Sequence, residues 1–400
     1  MNLLKLQILL CWMFAVVNVC AQTTEDSAGK LTHIVGFDFR PSYVFPTNEF
    51  FKGANNAQQR INTTLSGHLK YGFKFAPDSE MGQLYPHAIQ GIGIAYNTFF
   101  NSQELGNPLA VYVFQTSRIA TLSPKLSLDY EWNFGASFGW KEYNEETNPM
   151  NRVTGSKINA YINLGFLLNW QVSAHTNLRA GIGVTHYSNG NTNYPNSGVN
   201  TIGASIGITR SFGESNNPRR LSYLSEKALF NKYVSYDLII YGATRKRGVY
   251  MENYEPFLAS GSFGILGLNF NPLYNFSRYF RAGLSLDMQY DESANIGTHV
   301  ANDEIPANAE DIKFFRPPFK EQFSTGLSVR AEIVMPIFSI NLGIGKNFIC
   351  KGADTNSFYQ TFVLKTNITK NIFLHTGYQL YKFKDPNNLM LGIGYRFNAR

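Results

Sequence analysis

Hydrophobic and polar residues alternate with a period of two along most of this 400-residue chain. The alternation comes in segments of about ten residues, and it is the spacing at which successive side chains of a strand fall on opposite faces. In one segment Ala282, Leu284, Leu286, Met288 and Tyr290 alternate with Arg281, Gly283, Ser285, Asp287 and Gln289. In another, Phe338, Ile340, Leu342 and Ile344 alternate with Ser339, Asn341, Gly343 and Gly345. Each segment therefore has one apolar face and one small or polar face. The last, from Leu389 to Phe397, ends on an aromatic near the C-terminus. The pattern predicts roughly 16 strands. They fall near residues 31–43, 62–76, 87–99, 108–117, 124–139, 156–170, 175–188, 200–212, 230–243, 258–271, 279–290, 322–335, 337–348, 357–368, 371–381 and 387–398. The expected fold is all-β, an antiparallel transmembrane β-barrel with lipid outside and a lumen inside.

Connection lengths support that topology. Short ones at 171–174, 336 and 369–370 suit periplasmic turns, and long ones at 44–61, 140–155 and 291–321 suit external loops. Residues 213–229 break the rule, being long, polar and partly helix-like where a short turn is due. They read as a linker in an alternative architecture of two eight-stranded barrel units, 31–213 and 214–400.

Composition points the same way. Charged residues are 16% of the chain and aromatics 15%, against about 25% charged in ordinary soluble domains. Lys5, an apolar run from Ile8 to Val17, and Val19-Cys20-Ala21 form a cleavable signal peptide over 1–21, leaving a mature barrel of 22–400. Cleavage there removes Cys11 and Cys20 and leaves Cys350 alone, so no intrachain disulfide forms. Beyond the signal no apolar run reaches the roughly 18 residues a membrane helix needs, so spans must be strands. The formal charge of +7 is modest and its basic residues are scattered. An exported chain of this kind suits an anionic lipid surface, with no nucleic acid as partner.

One strand carries candidate chemistry. Leu178, Ala180, Ile182 and Val184 share their parity with His186 and Ser188, so a base and a hydroxyl continue an apolar, outward face. Asn200 is in phase with Ile202, Ala204, Ile206 and Ile208 on the following strand. If the two strands form a hairpin, His186, Ser188 and Asn200 converge at its open end, where hydrocarbon meets headgroups. Acyl transfer needs a hydroxyl, a base, a group that fixes the base's tautomer and donors for the oxyanion. Ser188, His186 and Asn200 supply the first three, and the Asn196 side chain with the Gly190 backbone N–H supplies the donors. No metal is expected, since His33, His68, His87, His175, His299 and His375 lack ligand spacing. No organic cofactor is expected either.

The stretch His186-Tyr187-Ser188-Asn189, with Asn196 ten residues after the histidine and Gly198 two later, resembles the lipid A 3-O-deacylase family (PagL-type acyloxyacyl hydrolases). These are outer-membrane barrels that cut an ester-linked acyl chain from lipid A. The resemblance implies His186 as general base, Ser188 as nucleophile and Asn196 as an oxyanion donor, with Asn189, Pro195 and Gly198 shaping the loop. It covers 178–212 closely and at most 31–213 as a barrel. The family's third member is a glutamate fourteen residues after the histidine, where this chain has Asn200. The partner so implied is the lipid A of outer-leaflet lipopolysaccharide. Arg245, Lys246 and Arg247, in an expected external loop, are candidate contacts to its phosphates or else a solvated rim. The alternative from another class is a non-catalytic barrel, a pore or structural protein that kept the motif's turn. Asn200 favours that reading, and about 16 strands in one wall would enclose water.

Overall fold

A computed structural model of the chain describes residues 31–212, 230–249, 257–302, 312–383 and 385–398. The expected signal peptide and the 213–229 linker lie outside the described residues. Sixteen strands form two closed antiparallel barrels of eight. The first comprises β1 (Thr32–Val44), β2 (Thr63–Lys74), β3 (Ile89–Thr98), β4 (Gly106–Ser123), β5 (Leu126–Trp140), β6 (Ile158–Gln171), β7 (Thr176–Ser188) and β8 (Val199–Phe212). The second comprises β9 (Tyr233–Arg245), β10 (Phe263–Asn275), β11 (Phe280–Asp291), β12 (Phe323–Val334), β13 (Phe338–Ile349), β14 (Phe358–Asn367), β15 (Ile372–Tyr381) and β16 (Asp385–Phe397). No helix among the described residues is long and apolar enough to cross a membrane.

The architecture is thus the two-unit alternative, and the single sixteen-stranded wall is corrected. β1 closes on β8, with His33 opposite Phe212 and Val44 opposite Thr201, and β9 closes on β16. The chain divides into two compact units accordingly.

Eight strands leave a lumen just wide enough for side chains, and polar inward positions fill it. In the first barrel Glu131 takes Arg40 at 2.8 Å, Lys70 at 2.9 Å and Arg179 at 2.5 Å, while Asp38 also pairs with Arg40 and Lys70. In the second, Lys365 bridges Asp237 at 2.8 Å and Glu332 at 2.6 Å, with Arg396 and Arg281 completing the set. Buried charges persist only when paired in this way. Among the described residues both interiors are filled by buried polar and charged side chains, where one large barrel would enclose water.

At the end of the first barrel that carries the long loops, an aromatic core replaces the ion pairs. Phe50, Phe51, Phe99, Trp140, Tyr161 and Tyr187 are buried there together. Phe50 and Phe51 come from a short helix, α1 (Glu49–Lys52), which is started by the Asn48 side chain accepting from the Phe50 N–H at 3.0 Å. This packing fixes the loops around the end of β7.

Candidate active site

β7 and β8 pair directly, with His186 opposite Asn200 and Tyr187 opposite Val199. Alternation then decides which way each side chain faces. Ile182, Val184, Ile202, Ile206 and Ile208 are exposed on the barrel's outside, and Tyr187, Thr201 and Ser205 are buried inside. His186, Ser188 and Asn200 have the outward parity and are half-buried. On β6 their neighbours are Ile162, opposite His186, and Ala160, opposite Ser188.

The His186 Nδ1 lies 2.6 Å from the Asn200 Oδ1. An amide oxygen only accepts, so the ring proton sits on Nδ1 and the Nε2 lone pair is left free to take a proton. Gly198 borders both side chains: a side chain there would begin 3.4 Å from His186 Cε1 and 3.7 Å from Ser188 Cβ. Its φ of +68° also favours glycine. The Ser188 hydroxyl makes no hydrogen bond among the described residues.

The connecting loop is braced by its own amides. The Asn196 Oδ1 accepts the Asn189 N–H at 3.1 Å, and the Asn196 Nδ2 donates to Asn191 Oδ1 at 3.0 Å. One Asn196 N–H therefore remains for another acceptor. Asn189 Nδ2 donates to the Asn193 carbonyl at 2.9 Å. Gly190, at φ +64°, keeps a backbone N–H with no partner among the described residues. Asn196 and Gly190 thus lie in the loop that follows Ser188.

The scaffold behind this loop escaped the sequence reading. The Val153 carbonyl accepts the Gly198 N–H at 3.2 Å, and the Arg152 carbonyl accepts the Ser197 hydroxyl at 3.1 Å. Thr47 donates to the Gly198 carbonyl at 3.3 Å, and the Phe45 N–H to the Asn200 carbonyl at 2.9 Å. A side chain at Gly155 would run into the Tyr194 carbonyl oxygen. Thr154-Gly155-Ser156 was the available signal, and nothing in its local pattern names its partner.

Arg245, Lys246 and Arg247 belong to the other unit. The Arg245 guanidinium is 3% exposed and bonded to Asp291 at 2.5 Å, Ser293 at 3.0 Å and Asn387. Arg247 pairs with Asp354, and Lys246 is half-buried. Both arginines pair with carboxylates within the second barrel.

No curated protein matches the sequence. Among solved structures, Neisserial surface protein A aligns at 9% identity over 45% of this chain and 97% of its own length, with a TM-score of 0.30. The siderophore receptor PirA from Acinetobacter baumannii aligns at 9% identity over 90% of this chain and 69% of its own, with a TM-score of 0.23. Both are barrels, and overlaps this loose carry no argument about the site. Family models are more specific. Residues 48–209 match lipid A 3-O-deacylase (PagL), and residues 234–399 match the acyloxyacyl hydrolase C-terminal domain. With the first match spanning the His186 hairpin and the second nearly all of β9–β16, the chain belongs to the lipid A 3-O-deacylase (PagL) family.

Proposed function

We propose that this protein is an outer-membrane ester hydrolase that removes an ester-linked acyl chain from lipid A or a related outer-leaflet glycolipid. Ser188 is its nucleophile and His186 its general base. Asn200 holds the histidine tautomer, and the Asn196 amide and Gly190 N–H receive the developing oxyanion. The observation that carries this reading is the His186–Asn200 hydrogen bond of 2.6 Å on the lipid-facing side of the hairpin. An imidazole held by an acceptor beside a hydroxyl on an apolar wall is costly without a lipid substrate to act on.

In the first step the Ser188 Oγ adds to the ester carbonyl while its proton passes to His186 Nε2, and the carbonyl oxygen becomes the oxyanion. Collapse expels the sugar hydroxyl, which takes the proton back from His186 and leaves an acyl-serine. Water, deprotonated by the same nitrogen, then adds and releases the fatty acid. The substrate enters sideways from the leaflet. A secretory leader at 1–21 and export to a Gram-negative outer membrane complete the proposal.

Ser188→Ala is expected to abolish fatty-acid release while the barrel keeps its heat-modifiable mobility on gels. Mass spectrometry of lipid A from cells carrying the wild type, the variant or neither decides it. Identical acylation in all three would overturn the assignment.

A further inference from the structure

The end of the first barrel opposite His186 holds a cavity of about 310 Å³. Its lining brings together Lys74 at the end of β2, His87 before β3, Arg118 on β4, Lys125 between β4 and β5, and His175 before β7. Asp129 is the single carboxylate among the described lining residues, and it accepts from the Ser127 hydroxyl at 2.8 Å. Lys74, Arg118 and Lys125 make no ion pair among the described residues. That sets them apart from Arg40, Lys70 and Arg179 deeper in the same barrel, each of which is paired.

The excess of positive charge is felt locally. The Lys74 ammonium lies within electrostatic reach of both Arg118 and Asp129. Partial burial, reinforced by the Arg118 and Lys74 cations, holds the His87 imidazole down at about 4. Like charges gathered in a recess repel one another unless an anion joins them. Trp170, Leu178 and Phe212 expose apolar surface on the outside of the same strand ends, which sets the recess at headgroup depth.

We propose that this recess is a phosphate-binding site, with Lys74 and Arg118 as its principal ligands and Lys125 and His87 at its rim. The phosphate belongs to an anionic glycerophospholipid headgroup or to a soluble phosphate ester. A phosphate anion, whether diester or monoester, answers three cations set against one carboxylate, and the cavity exceeds what a lone carboxylate group fills. The site is independent of Ser188 chemistry.

The full chain in dodecyl maltoside micelles, which contain no phosphate, provides the test. One arm titrates inorganic phosphate by ³¹P NMR, and the other adds short-chain phosphatidylglycerol and counts retained lipid by native mass spectrometry. Wild type and Ser188→Ala are expected to bind alike. Lys74→Gln with Arg118→Gln is expected to weaken binding on the order of tenfold or more, the loss of two charge-assisted contacts. Should that pair fail to fold, Lys125→Gln in the exposed turn is expected to weaken binding about threefold. Retention of lipid assigns the headgroup, and binding of inorganic phosphate alone assigns a soluble ester. Binding of neither by the wild type, or equal binding by the folded variants, overturns the proposal.

Discussion

Asn200 is where this chain departs from the family's glutamate, and Asn200→Asp turns that departure into a measurement. The substitution is nearly isosteric, so the acceptor stays near its 2.6 Å distance from His186 Nδ1, and the change is one negative charge. In the transition state the imidazole becomes a cation. A carboxylate with its charge about 4 Å away stabilises that cation by about 1 kcal/mol in water and about 4 kcal/mol at an effective dielectric constant near 20. The site is half-buried at a lipid boundary, between these limits. A gain of about 2 kcal/mol corresponds to roughly thirtyfold in rate. Asn200→Ala removes the acceptor and leaves both tautomers open, so its rate should fall at least tenfold, in line with a lost hydrogen bond of about 1–1.5 kcal/mol and the misdirected base. The assay is fatty-acid release from lipid A in detergent micelles, quantified by mass spectrometry, with heat-modifiable mobility as the folding control. If folded Asn200→Asp and Asn200→Ala both stay within twofold of the wild type, the hydrogen bond takes no part in catalysis and the reasoning fails.

Further expectations follow from the glycine at the site, the charged interiors and the filled lumens. Gly198→Ala puts a methyl 2.9 Å from the Tyr187 carbonyl oxygen and strains a backbone at φ +68°, so thermal stability should fall by about 1–2 kcal/mol and deacylation at least tenfold. Unchanged activity would show that the space beside His186 is not needed. Glu131→Gln strips the common partner from Arg40, Lys70 and Arg179. Urea unfolding in micelles should register a loss of about 3–5 kcal/mol, and a loss under 1 kcal/mol would mean that water reaches the lumen. In planar bilayers the protein should give no large steady conductance, since both interiors are filled by side chains. A stable open level would return the pore reading to contention.

Much of the fold was legible because alternation reports faces directly. Each of the sixteen wall strands overlaps a segment expected from the sequence. Departures have local causes. β4 continues to Ser123, past its expected end at 117, through register shifts between Arg118 and Ala120 and between Thr121 and Ser123, and bulges of that kind erase a period of two. β10 starts late, after a turn with Gly261 at φ +99°, and runs on through Pro272. Closure was not legible: alternation fixes how β1 faces lipid and is silent on whether its second neighbour is β8 or β16. Only the polar 213–229 stretch hinted at the division. At the site, His186, Ser188 and Asn200 were readable because pairing on a hairpin is local. The brace from Val153 and Arg152 was not, since a backbone carbonyl carries no mark in a sequence, and neither was the engagement of Arg245 by Asp291.

On the proposed function, a hydroxyl and an imidazole mounted on the outer wall meet their reactant by diffusion in a plane. Turnover should accordingly track the mole fraction of glycolipid in the leaflet or micelle rather than its bulk molarity, and adding inert detergent at fixed substrate should slow the protein by surface dilution. For the same reason an inhibitor will succeed by partitioning into the membrane, and its potency in buffer will understate or overstate its effect according to its lipophilicity.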